Sequence, residues 1–193
     1  MDALYASTHQ RTELSAAPLA APRGLQVLIR DGIREVSAGH WEGASDHASH
    51  SAFLEFVFGW PTDPTTRVPG GESGLGVLEQ LDGVVDEAVQ SGVGTVAMVS
   101  HGVAIRVWLA ARAVNFSVRD VMQCELDNTG VVIADRSVEG TWQVCPGPDY
   151  RSGRPAMSRG IAARQANRYS TANFKRTAPK PPAPPRPRVT HAR

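Results

Sequence analysis

Three polar side chains stand where a short apolar segment of the chain ends or where a glycine-containing loop runs. Arg11 follows a serine-containing turn, Glu35 lies in a loop with glycines, and His101 comes between the apolar residues 95–100 and Gly102. An arginine can bind phosphate through two parallel hydrogen bonds, and a carboxylic acid can protonate a leaving group. Each residue type alone is equally typical of a surface charge or a structural histidine, so their arrangement decides the interpretation.

The apolar pattern predicts strands and helices that alternate along the first 150 residues. Short apolar runs predict strands, and apolar residues at helical spacing predict helices, with Ser73 as the N-cap of one of them. The predicted strands are 3–7, 26–29, 95–100, 131–134 and 142–145, and the predicted helices are 12–21, 51–60, 73–91 and 102–114, with 120–125 helical or irregular. We therefore expect an α/β fold, a three-layer α/β/α sandwich whose mainly parallel sheet ends in an antiparallel edge. His101 would lie at the carboxyl end of a buried strand, where α/β proteins place ligand-binding groups.

One globular domain of ordinary composition accounts for most of the chain. The chain has 193 residues, of which 41% are hydrophobic, and no apolar run approaches the roughly 20 residues of a membrane-spanning helix. The N-terminus lacks the basic and long apolar regions of a signal peptide, so we expect a cytoplasmic protein without a membrane segment. Cys124 and Cys145 fit no metal or redox spacing, and we expect both to be reduced thiols.

The formal net charge of +1 hides two segments of opposite charge. Residues 1–150 contain 9 arginines, no lysine and 19 acidic residues, whereas residues 151–193 contain 11 basic residues and no acid. The basic segment has few large aliphatic residues and a proline-rich run at 179–187. Because such a segment cannot bury enough apolar surface to offset its ordering entropy, we expect residues 1–150 to form the domain and residues 151–193 to be a disordered tail.

Four short motifs occur in series and carry a family resemblance. Their order is Ser7-x3-Arg11, Glu35-x3-Gly39-x-Trp41-Glu42-Gly43, Gly71-Glu72-Ser73 and Val99-Ser100-His101-Gly102. The series resembles the motifs of the histidine phosphatase superfamily, the phosphoglycerate mutase-like proteins, over about residues 2–146. The resemblance implies the three-layer fold, metal-independent phosphoryl transfer without a cofactor, and a small phosphorylated substrate. Phosphomonoester hydrolysis is favoured over a mutase reaction because the Gly-x-Trp-Glu-Gly form of the second motif looks more like the phosphatase branch.

The resemblance also implies a role for each motif residue. Arg11 would bind the transferred phosphoryl group, His101 would contribute positive charge or hydrogen bonds to its oxygens, and Glu35 would protonate the leaving alkoxide. Gly102 would let the backbone approach the ligand closely. These roles match what phosphoryl transfer needs, namely cations and donors around the equatorial oxygens and a proton for a poor leaving group.

One part of the family pattern is absent from these residues. The family carries an Arg-His-Gly triplet, whose histidine is the nucleophile, at the end of its first strand, and the chain contains no Arg-His dipeptide. His9 precedes Arg11 within its motif, so we do not expect it to replace that nucleophile. We expect an N-terminally truncated member without the first strand and helix, in which the strands at 3–7 and 95–100 stay partly unpaired unless a partner or a second copy of the chain fills the gap. Hydrolysis would be severely impaired, and the alternative is a non-catalytic pseudoenzyme that binds a phosphorylated ligand.

Two alternatives from other functional classes stay open. His40, His47 and His50 could form a zinc site with Asp46 or Glu42, since histidines three residues apart share a helix face. A solvated loop without metal is the simpler interpretation of that region. The basic tail could bind nucleic acid or another anionic partner weakly through its charges, and its proline run could dock on an aromatic groove.

Overall fold

The computed structural model describes residues 1–123 and 126–146, so Cys124 and the expected tail at 151–193 lie outside the described residues. The strands are β1 (Ala3–Ala6), β2 (Val27–Ile29), β3 (Val96–Val99), β4 (Ile133–Arg136) and β5 (Trp142–Cys145). The α-helices are α1 (Gln10–Ala20), α2 (His47–Gly59), α3 (Gly74–Gln90), α4 (Gly102–Arg112) and α5 (Val118–Gln123), and short 3₁₀ helices span Ala21–Arg23, Asp31–Ile33 and Gly39–Trp41. The predicted strands and helices are all present, with bounds shifted by a few residues. None of the described helices is both long and apolar enough to cross a lipid bilayer.

A parallel three-stranded sheet forms the centre of the fold, with the strand order β2-β1-β3. Leu4 of β1 pairs with Val27 on one side and with Ala97 on the other. Helical crossovers connect the strands, as parallel pairing requires, because the end of one parallel strand lies at the opposite edge from the start of the next. The carboxyl ends of all three strands therefore meet at the same edge of the sheet.

Helices cover both faces of this sheet, because successive side chains of a strand point to opposite faces. Leu4 and Ala6 are fully buried and pack with Ala16 and Ala20 of α1. Tyr5 lies in a larger core on the other face, together with side chains of α2, α3, α4 and α5. The expected three-layer α/β/α arrangement around a parallel sheet is confirmed.

Two details of the expected sheet are wrong. β1 is not left unpaired, because β3 pairs with it directly and makes it the middle strand. β4 and β5 are antiparallel as predicted, but they form a separate two-stranded sheet rather than an edge of the parallel one. The outer edge of β5 is occupied by the segment after α4, where the amide of Val114 donates to the carbonyl of Trp142 at 3.0 Å. Asn115 exchanges two hydrogen bonds of 2.8 Å with the backbone of Val144, which completes this cover.

The outer edge of β3 is open in the part of the chain that the structure describes. The carbonyls of Thr95 and Val99 accept hydrogen bonds from β1 and its flanking residues. In a parallel pair the N–H and C=O of alternate residues point to opposite sides of the strand, so those of Val96 and Met98 point away from β1. Neither residue has a backbone partner on that side among the described residues. One side of β3 is thus unpaired, as expected.

Two helix starts are set by side-chain caps. Asp46 caps α2 by accepting a hydrogen bond of 2.9 Å from the amide of Ser49, so this helix begins earlier than predicted and carries His47 and His50, which we had expected in a loop. Ser73 is the N-cap of α3 as predicted, with its hydroxyl 3.3 Å from the amide nitrogen of Gly76.

Candidate active site

The carboxyl ends of the parallel strands bring together polar residues from distant parts of the sequence. Ser7 follows β1, and Ser100 and His101 follow β3. The amide of Ser7 donates to the carbonyl of Val99 at 3.1 Å, which keeps the two strand ends side by side. The hydroxyl of Ser100 donates to the carbonyl of Ile33 at 2.8 Å and so holds the loop that follows β2 against the same edge.

His101 is hydrogen-bonded through both nitrogens of its ring. Nη2 of Arg11 lies 2.9 Å from Nδ1, and Oγ of Ser7 lies 2.8 Å from Nε2. A guanidinium can only donate, so Nδ1 is the acceptor and the ring proton is on Nε2, which donates to Ser7. Because the residue is only 6% exposed, a ligand can reach a ring nitrogen only by replacing one of these two partners.

The hydrogen bonds continue from His101 into the start of α1. Oγ of Ser7 is 2.8 Å from Oγ1 of Thr12, and Oγ1 of Thr12 donates to the carbonyl of His9 at 2.7 Å. Since Ser7 accepts from His101, its own proton goes to Thr12, and the series of donors has one direction starting at Arg11. Sequence analysis gave no role to Ser7 or Thr12. A single sequence carries no sign of a hydrogen bond between residues that are 94 positions apart.

The environment of His101 keeps its ring neutral. Burial lowers the pKa of His101 to about 4, and the charges of Arg11 and His9 act in the same direction. At neutral pH the ring therefore supplies hydrogen bonds rather than the positive charge that the family resemblance allows. Any positive charge on this ring must arise when a ligand changes its surroundings.

Arg11 and the first turn of α4 present donors to solvent. Arg11 is exposed and uses only Nη2 in its bond to His101. The amides of Gly102 and Val103, which begin α4, have no acceptor among the described residues. A Cβ added at Gly102 would meet nothing within 4 Å, so the packing of the protein itself does not require glycine there. The space beside this turn is open to a ligand.

Glu35 reaches the same turn of α4. Its Oε1 accepts hydrogen bonds of 3.1 Å from the amides of Val36 and Ala104, and Oε2 accepts none in the described part of the chain. Ala104 is three residues beyond His101, so both candidate catalytic residues are attached to one helix start. A neighbouring cavity of about 10 Å³ has room for about one water molecule, and a phosphomonoester must therefore bind on the open edge instead.

The second and third motifs fix the position of the loop that carries Glu35. Oε1 of Glu72 accepts a hydrogen bond of 2.7 Å from Arg34, and its Oε2 accepts one of 3.2 Å from the amide of Ser37. Gly39 has a φ of 55°, and a Cβ there would collide with the carbonyl of Pro69. These motif residues join two loops to each other, which explains their presence without contact to a ligand.

His9 also belongs to the cluster, although sequence analysis set it aside. Its ring centroid is 4.8 Å from that of His101, with an angle of 66° between the ring planes. It is the N-cap residue of α1, yet its side chain makes no capping hydrogen bond. Its place at a predicted helix start, two residues before Arg11, was the signal that could have drawn attention to it.

The alternative metal site is not assembled in residues 1–123 and 126–146. No group of three or more His, Cys, Asp or Glu side chains lies close enough to hold a metal ion there. The carboxylate of Asp46 caps α2, and Nδ1 of His47 is 2.9 Å from Oγ of Ser51. These contacts explain the two residues as parts of a helix start.

Comparison with known proteins identifies the family. Residues 1–145 match the sequence profile of the Histidine phosphatase superfamily (branch 1). The chain belongs to the histidine phosphatase superfamily. The resemblance drawn from the four motifs is thereby confirmed.

Relatives of this histidine phosphatase superfamily chain include named phosphatases. Phosphoserine phosphatase 1 of Hydrogenobacter thermophilus is 30% identical over 113 residues, which are 58% of this chain and 54% of that protein, so the chain spans about half the length of this curated relative. The structure of a mycobacterial glucosyl-3-phosphoglycerate phosphatase is 25% identical, with a TM-score of 0.54 and coverage of 74% of each chain. Bacillus stearothermophilus YhfR shares the fold at 23% identity, with a TM-score of 0.57 and coverage of 75% of this chain and 72% of its own.

We predict that the neutral ring of His101 makes the fold less stable in acid. Its folded-state pKa is about 4, below the ordinary value of 6.5. The unfolded chain therefore binds an extra proton between these two values, and the free energy of unfolding falls as the pH is lowered through this window. The loss relative to the His101→Gln variant should approach the order of 3 kcal/mol near pH 4. Urea unfolding of both proteins across this pH range measures it, and an identical pH dependence in the two proteins would contradict the assigned ring state.

Proposed function

We propose that the chain binds the phosphoryl group of a small phosphomonoester at the carboxyl edge of its parallel sheet and hydrolyses the ester slowly, without a metal ion. The observation that carries this proposal is the pairing of exposed Arg11 with buried His101 beside the unpartnered amides of Gly102 and Val103. Arginine side chains and helix N-termini are both favourable sites for phosphate. The mycobacterial relative has been solved in complex with inorganic phosphate, and the named relatives are phosphatases, which supports the same ligand class here.

A bound phosphoryl dianion would change the state of His101. The positive charge of Arg11 contributes to the lowered pKa of this histidine, and a dianion that pairs with Arg11 cancels that contribution. Nδ1 is then released from the guanidinium and can take up a proton, while Nε2 keeps its bond to Ser7. His101 in this form donates to a phosphoryl oxygen and carries the positive charge that transition-state stabilisation requires.

Glu35 is the proposed general acid for the leaving oxygen. Its two backbone hydrogen bonds fix Oε1 at the first turn of α4, and Oε2 is left without a partner among the described residues. A carboxyl group oriented in this way can deliver a proton from Oε2 to an alkoxide that leaves from a phosphoryl group bound at the same turn. The role assigned by the family resemblance is therefore geometrically consistent.

Slow turnover follows from the residues that the chain provides. No Arg-His dipeptide occurs in the 193 residues, so the histidine and arginine of the family's first motif contribute nothing here. Phosphoryl transfer depends mainly on positioning and on neutralising charge, and Arg11 is left as the sole motif arginine for that task. Binding of a phosphorylated ligand without turnover is the alternative that activity measurements distinguish.

We predict that Arg11 dominates phosphate binding. Arg11→Ala should weaken binding of inorganic phosphate at least about tenfold, and Arg11→Lys should lie between because lysine lacks the two-pronged guanidinium geometry. Isothermal titration calorimetry at low ionic strength measures the affinities. Repeating the titrations near pH 6 in buffers of different ionisation enthalpy should reveal proton uptake that is lost in His101→Gln, since the ionisation of phosphate itself is common to both proteins.

Arg23→Ala is the matched control for this binding experiment. Arg23 is also exposed and follows α1, but its guanidinium bonds only to the carbonyl of Leu19 at 3.1 Å. This variant should bind phosphate like the unaltered protein. Absence of phosphate binding in the unaltered protein, or equal losses for Arg11→Ala and Arg23→Ala, would refute the proposed site.

We predict that Glu35→Gln separates substrates by their leaving groups. An alkyl phosphate needs a proton on its leaving oxygen, so its hydrolysis should fall at least about 100-fold. p-Nitrophenyl phosphate releases a stable phenolate, so its hydrolysis should change by no more than about threefold. Steady-state kinetics with both substrates tests this, with Glu79→Gln, an exposed residue of α3, as the control. Equal losses on both substrates would remove Glu35 from the acid role.

A further inference from the structure

The proposed reaction still needs a nucleophile, and three polar side chains around the site are unsuited to that task. His101 has both ring nitrogens engaged, and Ser7 is fully buried within the same series of hydrogen bonds. Cys145 donates its thiol to Asp135 at 3.2 Å, and burial together with that carboxylate raises the pKa of the thiol to about 11. Each of these groups lacks a reactive lone pair that a ligand on Arg11 could reach at neutral pH.

His9 does present such a lone pair. Its imidazole makes no hydrogen bond with any described residue, and it is partly exposed beside the ring of His101. It stands two residues before Arg11 at the start of α1, so the two side chains leave the same turn of the backbone. Nη2 of Arg11 is 2.9 Å from Nδ1 of His101, and the two imidazole centroids are 4.8 Å apart. A phosphoryl group held between Arg11 and His101 is therefore adjacent to the ring of His9.

We propose that His9 is the nucleophile that accepts the phosphoryl group, a role that rests on the proposed function. The lone pair of an unprotonated ring nitrogen of His9 attacks phosphorus, the ester P–O bond breaks, and the leaving oxygen takes the proton of the Glu35 carboxyl group. Water then attacks the phosphorus of the phosphohistidine and gives a proton to the Glu35 carboxylate. The P–N electron pair returns to the imidazole, and inorganic phosphate is released, so the protein ends in its starting state.

Trapping of the phosphorylated protein tests this assignment directly. The full chain is mixed with p-nitrophenyl phosphate and quenched in alkali, where phosphohistidine survives, and peptide mass spectrometry then locates the added phosphoryl group. We expect it on His9. His9→Ala should lose at least about 100-fold in turnover, while its affinity for inorganic phosphate, measured by calorimetry, should stay within about threefold of the unaltered protein.

A matched histidine variant and chemical rescue separate nucleophilic attack from a structural effect. His50→Ala, an exposed residue of α2, should keep full turnover and phosphorylation. Added imidazole should restore part of the turnover of His9→Gly, because the free base can attack in the space that the side chain occupied, whereas a lost structural contact would not respond. A phosphoryl group on another residue, or its absence from a protein that binds phosphate, overturns the assignment to His9. So does unchanged turnover in His9→Ala. Loss of phosphate binding in the unaltered protein is the separate result that removes the proposed function and the nucleophile together.

Discussion

The two hydrogen bonds to the ring of His101 are the constraint on which the candidate site depends. Arg11 can only donate, so it makes Nδ1 the acceptor and places the ring proton on Nε2, where Ser7 receives it. Burial favours the same neutral ring. The arrangement places a cation at the surface and a buried imidazole directly beneath it, and a dianion that binds the cation alters the imidazole at the same time. Phosphate binding and protonation of His101 are therefore coupled through one contact.

The pairing of β1 with β3 makes this contact possible. Ala6 lies opposite Val99 in the parallel register, so the residues that follow the two strands, Ser7 and Ser100, leave the sheet side by side. A shift of one residue would turn every side chain of a strand to the opposite face. Leu4 and Tyr5, buried on opposite faces of β1, make such a shift unfavourable. The packing of the core thus fixes the geometry of the site at the edge.

Much of this fold follows from local patterns, whereas the site follows from them only in part. Alternating apolar runs predicted the strands and helices, and the motifs predicted Arg11, Glu35 and His101 as site residues, of which Arg11 and His101 are in direct contact. The separate sheet of β4 and β5 was not foreseen, because hydrogen bonds from Asn115 cover the outer edge of β5 and no periodicity reports them. The contact of His9 with His101 was missed for a similar reason, since it depends on strand pairing and on the start of α1 rather than on spacing in the sequence.

The ring nitrogens of His101 offer the most direct test of the central claim, that Arg11 and His101 together form a phosphate site. Long-range ¹H–¹⁵N spectra of the imidazole rings distinguish a protonated nitrogen from an unprotonated one, and they can be followed while inorganic phosphate is added near pH 6. The account predicts that Nδ1 of His101 starts unprotonated and moves towards the protonated state as the protein saturates, while Nε2 stays protonated. Saturation with phosphate that leaves Nδ1 of His101 unchanged would contradict the account, because the anion would then be bound elsewhere on the protein.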